Sequence, residues 1–68
     1  MSLAKVVELV GQSEKSFEDA VKVAVEEAAK TTRGIKCVDV VGQTADIENG
    51  KIIRYRADCK ILFIVERE

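Results

Sequence analysis

The side chains with the means to do chemistry in this sequence are two thiols, two closely spaced arginines and a scatter of carboxylates. Cys37 and Cys59 are the only cysteines, and there is no histidine to act as a general base or to complete a zinc site. A reactive thiol at Cys37 would need a cationic activator, and Lys36 is its one basic neighbour. The competing reading of Cys37 is an interface filler, while Cys59 reads as a small buried hydrophobe. Arg54 and Arg56 share a parity, so on a strand both point to one face, where they can grip a phosphate or carboxylate through bidentate contacts. The alternative is pairing with Gln43, with Asp58 or with another subunit. Asp39, Asp46, Glu48 and Asp58 can offer oxygen ligands to calcium or magnesium around a symmetry axis, or simply be a solvated surface. No phosphate loop, dinucleotide fingerprint or nucleophile elbow is present. An enzyme built on Cys37 or Arg56 would have no base near either.

The elements that must position these groups follow from periodicity. Residues 4 to 10, rich in valine and leucine, predict a short strand, and Gly11-Gln12-Ser13 breaks the pattern. Phe17, Ala20, Val21, Ala24, Val25 and Ala28 form one face of an amphipathic helix over roughly 14 to 32. Ser13 is an N-cap candidate, Ser16 and Asp19 can form a capping box, and Gly34 suits the C-terminal end, with Lys30 and Arg33 in the last turn. Exposed helix charges predict pairs such as Glu18–Lys22 and Glu26–Lys30.

Residues 35 to 48 and 51 to 66 flank Asn49-Gly50, a hairpin signal because both central positions need positive φ. A two-residue turn then makes partners of positions whose numbers add to 99. One face carries Val38, Val40, Gly42, Thr44, Tyr55, Ala57, Cys59, Ile61 and Phe63, a coherent core surface. The other carries Cys37, Asp39, Val41, Gln43, Arg54, Arg56, Asp58, Lys60 and Leu62, with Asp39 opposite Lys60 and Gln43 opposite Arg56. A bulge near Gly42 would shift this by one residue. The order strand, helix, strand, strand predicts an α+β fold, β-α-β-β, with a three-stranded antiparallel sheet in the order 1-3-2.

Size bears on function. A chain of 68 residues holds a single domain over 1–68, and at this size a core is marginal. Small natural domains add disulfides, metals or partners, and the cysteine and histidine counts leave partners. The last strand would extend about 50 Å, whereas the helix covers about 27 Å. One helix cannot cover both ends of such a hairpin, and the second face keeps Cys37, Val41, Ile47, Ile52, Leu62 and Ile64. The expectation is a homo-oligomer. Eleven basic against twelve acidic residues argue against a nucleic-acid partner, and no apolar run approaches membrane-spanning length. The first residues lack a secretory layout, so a cytoplasmic protein with reduced thiols is expected.

The chain resembles the dodecins along nearly its whole length. The resemblance rests on Lys5-Val6-Val7-Glu8-Leu9-Val10-Gly11 followed by Ser13, on the helix with Phe17 and Ala20 ending at Lys30-Thr31, on Asp39-Val40, and on Tyr55 ahead of Phe63. It implies a hollow homododecamer, non-enzymatic, that stores or buffers riboflavin or FMN between subunits. It also implies a site at Cys37, Thr44, Tyr55 and Arg56. Cys37 stands where family members carry a tryptophan that stacks on the flavin, and Arg56 where they carry a glutamine after the tyrosine. Thr44 stands where some bacterial members carry a phosphate-neutralising arginine. Dodecin-like proteins without the tryptophan have been associated with calcium, so a flavin-independent structural or calcium-binding shell is the alternative.

Overall fold

A computed structural model describes residues 2–66; Met1, Arg67 and Glu68 lie outside the described residues. Strand β1 (Ser2–Ser13) leads into helix α1 (Phe17–Ala29), then β2 (Ile35–Glu48) and β3 (Lys51–Glu66). The sheet is antiparallel throughout with β3 in the centre, in the order β1-β3-β2. The α+β reading and the strand order from the sequence are therefore correct.

Two boundaries differ from expectation. β1 does not stop at Gly11: Gly11, Gln12 and Ser13 pair with Ala57, Arg56 and Tyr55. Gly11 is there for space. A Cβ at this position would sit 1.9 Å from the Ala20 carbonyl oxygen and 3.1 Å from the Ala24 Cβ, so only glycine lets the helix lie this close to the sheet. The helix is shorter than 14 to 32 because Ser16, not Ser13, caps it, its Oγ accepting the Asp19 N–H at 2.9 Å. Ser13 serves the joint differently, donating to Asp19 Oδ2 at 2.7 Å and accepting from the Lys15 N–H at 2.9 Å. At the other end Lys30 is the C-cap and Arg33 lies beyond the helix. Gly34, at φ +78°, turns the chain into β2, and its carbonyl accepts the Ile64 N–H at 2.9 Å. Lys30 pairs with Glu27 at 2.9 Å rather than with Glu26.

The helix lays Ala20, Ala24 and Ala28 against Ala57, Cys59 and Ile61 of the central strand, and Val7, Leu9, Val21, Val25, Ile35 and Val38 pack around this cluster. Of these, Ile61 and Cys59 are the largest fully buried side chains. The core is thin, and large apolar side chains remain in water: Val6, Val10, Val41, Ile47, Ile52 and Ile53 among others. The molecule measures 56 × 19 × 13 Å with a radius of gyration of 14.1 Å, against about 11 Å for a compact chain of this length. Its accessible surface is 5043 Å², against about 4250 Å² for a monomer of this mass. The excess, about 800 Å², equals what one partner contributes to a standard protein interface.

Candidate functional site

The side of the sheet away from α1 is uncovered, and the register decides which side chains stand on it. The Asn49-Gly50 turn forms as expected, with φ of 53° and 75°. Glu48 and Ile47 face Lys51 and Ile52, and Val40, Asp39, Val38 and Cys37 face Cys59, Lys60, Ile61 and Leu62, all in the expected register. Between these stretches the pairing slips by one. Gln43 faces Ala57, Thr44 faces Arg56, Ala45 faces Tyr55 and Asp46 faces Arg54, with irregularities at Val40/Gly42 and Asp46/Ile47. Because strand side chains alternate between faces, the extra residue turns Thr44 and Asp46 over. Thr44, expected on the helix-covered surface, stands instead on the uncovered face opposite Arg56. Gln43 is not the partner of Arg56.

The slip assembles a polar cluster across all three strands. Arg54 Nη1 donates to Asp46 Oδ2 at 2.9 Å, Arg56 Nη1 donates to Asp46 Oδ1, and Arg56 Nε donates to Gln12 Oε1 of β1 at 2.9 Å. The Arg56 hydrogen bond, followed by that of Arg54, holds the Asp46 carboxyl below the usual carboxylate range against an opposing effect of desolvation. Neither Asp58 nor Gln43 takes part. The sequence placed both arginines on one face correctly but missed Asp46 and Gln12 as their partners. The legible signal was Asp46 eight and ten residues before the two arginines, across an Asn-Gly turn.

The four expected site residues do not converge within one chain. Cys37 is exposed opposite Leu62 on the same face as Arg56, but seven residues from Thr44, about 23 Å along the strand. Tyr55 points the other way, packing edge-on against Phe17 under the sheet with ring centroids 4.9 Å apart. Thr44 and Arg56 are therefore the two that meet. Cys59 is buried and free, donating weakly to the Ala57 carbonyl at 3.6 Å, and burial pushes its thiol pKa up. It has the character of a packing residue, as expected.

Along the same face Asp39 stands opposite Lys60 and Glu48 opposite Lys51. Asp58 faces Gly42 and Val10 instead. Its Oδ1 is buried without a hydrogen-bond partner. Glu8, two residues along β1 from Val10, has its pKa raised, first by a hydrogen bond with Asp58 and then by its charge, with Lys60 opposing.

An open three-stranded sheet wrapped around one short helix, with its polar cluster on the uncovered side, defines a small α+β fold. Residues 3–66 match the Dodecin family, and the chain belongs to the dodecins. The tt0972 protein from Thermus thermophilus superposes with a TM-score of 0.93 at 29% identity, covering 100% of both chains. A dodecin from Streptomyces coelicolor superposes at 0.91 with 28% identity, covering 98% of this chain and 96% of that one. A calcium dodecin from Mycobacterium tuberculosis, described as calcium-chelating with a novel calcium-binding site, superposes at 0.79 with 31% identity, covering 90% and 87%. No protein with a curated description matches the sequence significantly.

The residues present can be tested against both ligands that the resemblance implies. A flavin ring needs a flat partner, but Phe17 and Tyr55 are packed together beneath the sheet, and alternation along β3 puts Phe63 on that side too. The uncovered face offers guanidinium groups and the Thr44 hydroxyl, so a stacked ring clamp does not fit it. For calcium, the described residues of one chain bring together no group of three or more Asp, Glu, Cys or His side chains, and the Glu8–Asp58 pair supplies two carboxyls. Among the described residues no helix is long and apolar enough to cross a membrane.

Proposed function

We propose that this chain, a single domain over 1–68, is the subunit of a non-enzymatic, cytoplasmic homododecamer that sequesters a small ligand where uncovered sheet faces meet. The observation that carries the reading is the excess surface: about 800 Å² more than a compact monomer exposes. Among the exposed large apolar side chains, Ile47, Ile52 and Ile53 stand at the tip of the hairpin. The ligand class implied by family membership is flavin, as FMN or riboflavin. Cys37 and Arg56 are too far apart in one chain to touch the same small molecule, so a pocket using Cys37, Thr44 and Arg56 takes them from neighbouring copies, with Tyr55 behind the sheet and outside it. Nucleic acid and membrane partners have no counterpart in the charge balance.

The test is native mass by light scattering, read with FMN fluorescence during titration. Twelve-subunit particles that quench FMN stoichiometrically at micromolar protein support the reading. A persistent 7.5 kDa species refutes the assembly, and particles that leave FMN bright to high micromolar refute flavin as the ligand.

One observation favours a second reading, a flavin-independent shell that holds calcium. Asp58 keeps an unpartnered oxygen beside Glu8, and subunits meeting at a symmetry axis would multiply such pairs. A calcium-dependent rise in melting temperature that riboflavin does not reproduce supports this reading; its absence retires it.

A further inference from the structure

We propose that Glu8 and Asp58 form a proton-sharing pair that governs how tightly the uncovered faces of two copies close on each other. Closure is firm in mildly acidic solution and loosens as the pH rises. The inference rests on the reading that uncovered sheet faces meet in an assembly, and it adds the regulation of that contact.

The geometry comes from the register. Glu8 stands opposite Lys60 and Val10 opposite Asp58, so Glu8 and Asp58 are diagonal neighbours on one face of β1 and β3. No cation faces Asp58 across the sheet: its partners are Val10 on one side and Gly42, which has no side chain, on the other. Its Oδ1 is buried without a hydrogen-bond partner. Lys60 is the one ammonium in this part of the face, and it stands between Glu8 and Asp39. Arg56, two residues before Asp58 on β3, is taken up by Asp46 and Gln12, and Arg54 by Asp46. α1 lies against Ala57, Cys59 and Ile61, the alternate residues of β3, and brings no charge to this side. Among the described residues no salt bridge reaches Glu8, Asp58 or Asp39.

Three carboxylates thus face one ammonium, two negative charges in excess, and one shared proton halves that excess. Two hydrogen-bonded carboxyls hold one proton between them more readily than either holds one alone. The raised pKa of Glu8, caused first by its hydrogen bond with Asp58, has that origin. Val6 and Val10 flank Glu8 on β1 and are 53% and 56% exposed, so the pair sits in an apolar strip that a second copy would cover. Covering it removes water from the pair and further favours the protonated, less charged form. Association therefore takes up protons and weakens as the pH rises through the titration of the pair. The chain has no histidine, the ordinary switch in this range, and the carboxyl pair stands in that role.

The test follows native mass by light scattering through a dilution series at constant ionic strength, between about pH 5 and about pH 8. That range lies above the titration of Asp46, whose carboxyl is held low. The parent chain is compared with Glu8→Gln, Asp58→Asn and, as control, Asp39→Asn, each checked for folding by circular dichroism. The expected result is a dissociation midpoint at least about tenfold lower in concentration at the acid end than at the alkaline end. Glu8→Gln should abolish most of that difference by associating at about pH 8 as the parent does at about pH 5, and Asp58→Asn should narrow it in the same direction. Asp39→Asn should keep it. Where dilution does not separate the subunits, the urea concentration that halves the native mass takes the place of the dilution midpoint and should fall as the pH rises. Assembly with one midpoint across the range overturns the proton-sharing pair and leaves the assembly standing. So does tighter association at the alkaline end, a folded Glu8→Gln chain with the parent's full pH dependence, or loss of that dependence in Asp39→Asn alone. A species of 7.5 kDa at every pH and concentration refutes the assembly, and this inference with it.

Discussion

Gly11→Ala is the change to which the fold should be least tolerant. The added methyl would lie 1.9 Å from the Ala20 carbonyl oxygen, a backbone atom that cannot rotate aside, and 3.1 Å from the Ala24 Cβ. Real Cβ contacts under 3.0 Å are essentially unknown, so helix and strand must part by more than 1 Å along the face that holds Ala20, Ala24 and Ala28. A radial gap of that size forfeits a quarter to a half of the dispersion attraction across the seam. Overpacking of this kind costs about 1–3 kcal/mol, and the immovable backbone puts this case near 3. A chain of this length has about 3–10 kcal/mol in all. At 4–8 °C per kcal/mol for a small domain, the melting temperature should fall by about 12–24 °C. The assay is a thermal melt by circular dichroism at matched concentration with native mass recorded, since association adds to apparent stability. Gly42→Ala is the control: its φ is ordinary and nothing lies within 4 Å of the new methyl, so stability should stay within about 1 kcal/mol. A Gly11→Ala protein that melts within a few degrees of the parent would refute the reasoning.

Three further changes probe the core and the uncovered face. Ile61→Ala removes one of the two largest fully buried side chains and should cost about 2–5 kcal/mol; urea unfolding reads this directly, and a loss under 1 kcal/mol would show that the core is not where the structure puts it. The Glu8 carboxyl titrates above its ordinary range, so its contribution is favourable below about pH 4 and is lost as pH rises through the raised value. Glu8→Gln should therefore raise the melting temperature at pH 7 and flatten its decline above about pH 4. Asp46 has the opposite sign: its lowered pKa stabilises above about pH 4 and is lost in acid as pH falls through the depressed value. Asp46→Asn should accordingly remove part of the loss of stability below pH 4, and an unchanged acid limb in the melting profile would contradict the ion pairs.

What the sequence determined by itself is the set of locally encoded elements. Alanines and valines at helical spacing require α1, Asn49-Gly50 requires a tight turn with positive φ at both positions, and the apolar Ile61–Val65 run belongs in the central strand. The shared parity of Arg54 and Arg56 placed both on the uncovered face, as found. Tertiary structure decided the rest. Gly11 reads locally as a breaker, yet β1 runs through it because the helix backbone needs the space that a Cβ would fill. Alternation puts Thr44 and Asp46 under the helix, and one slip in register turns both to the other side, where Asp46 meets the arginines. Composition does not encode that slip, because where an extra residue is accommodated depends on how twisted strands fit one helix. A shift of one residue inverts every face beyond it. The polar cluster is therefore a product of register, and register is settled by packing rather than by local sequence.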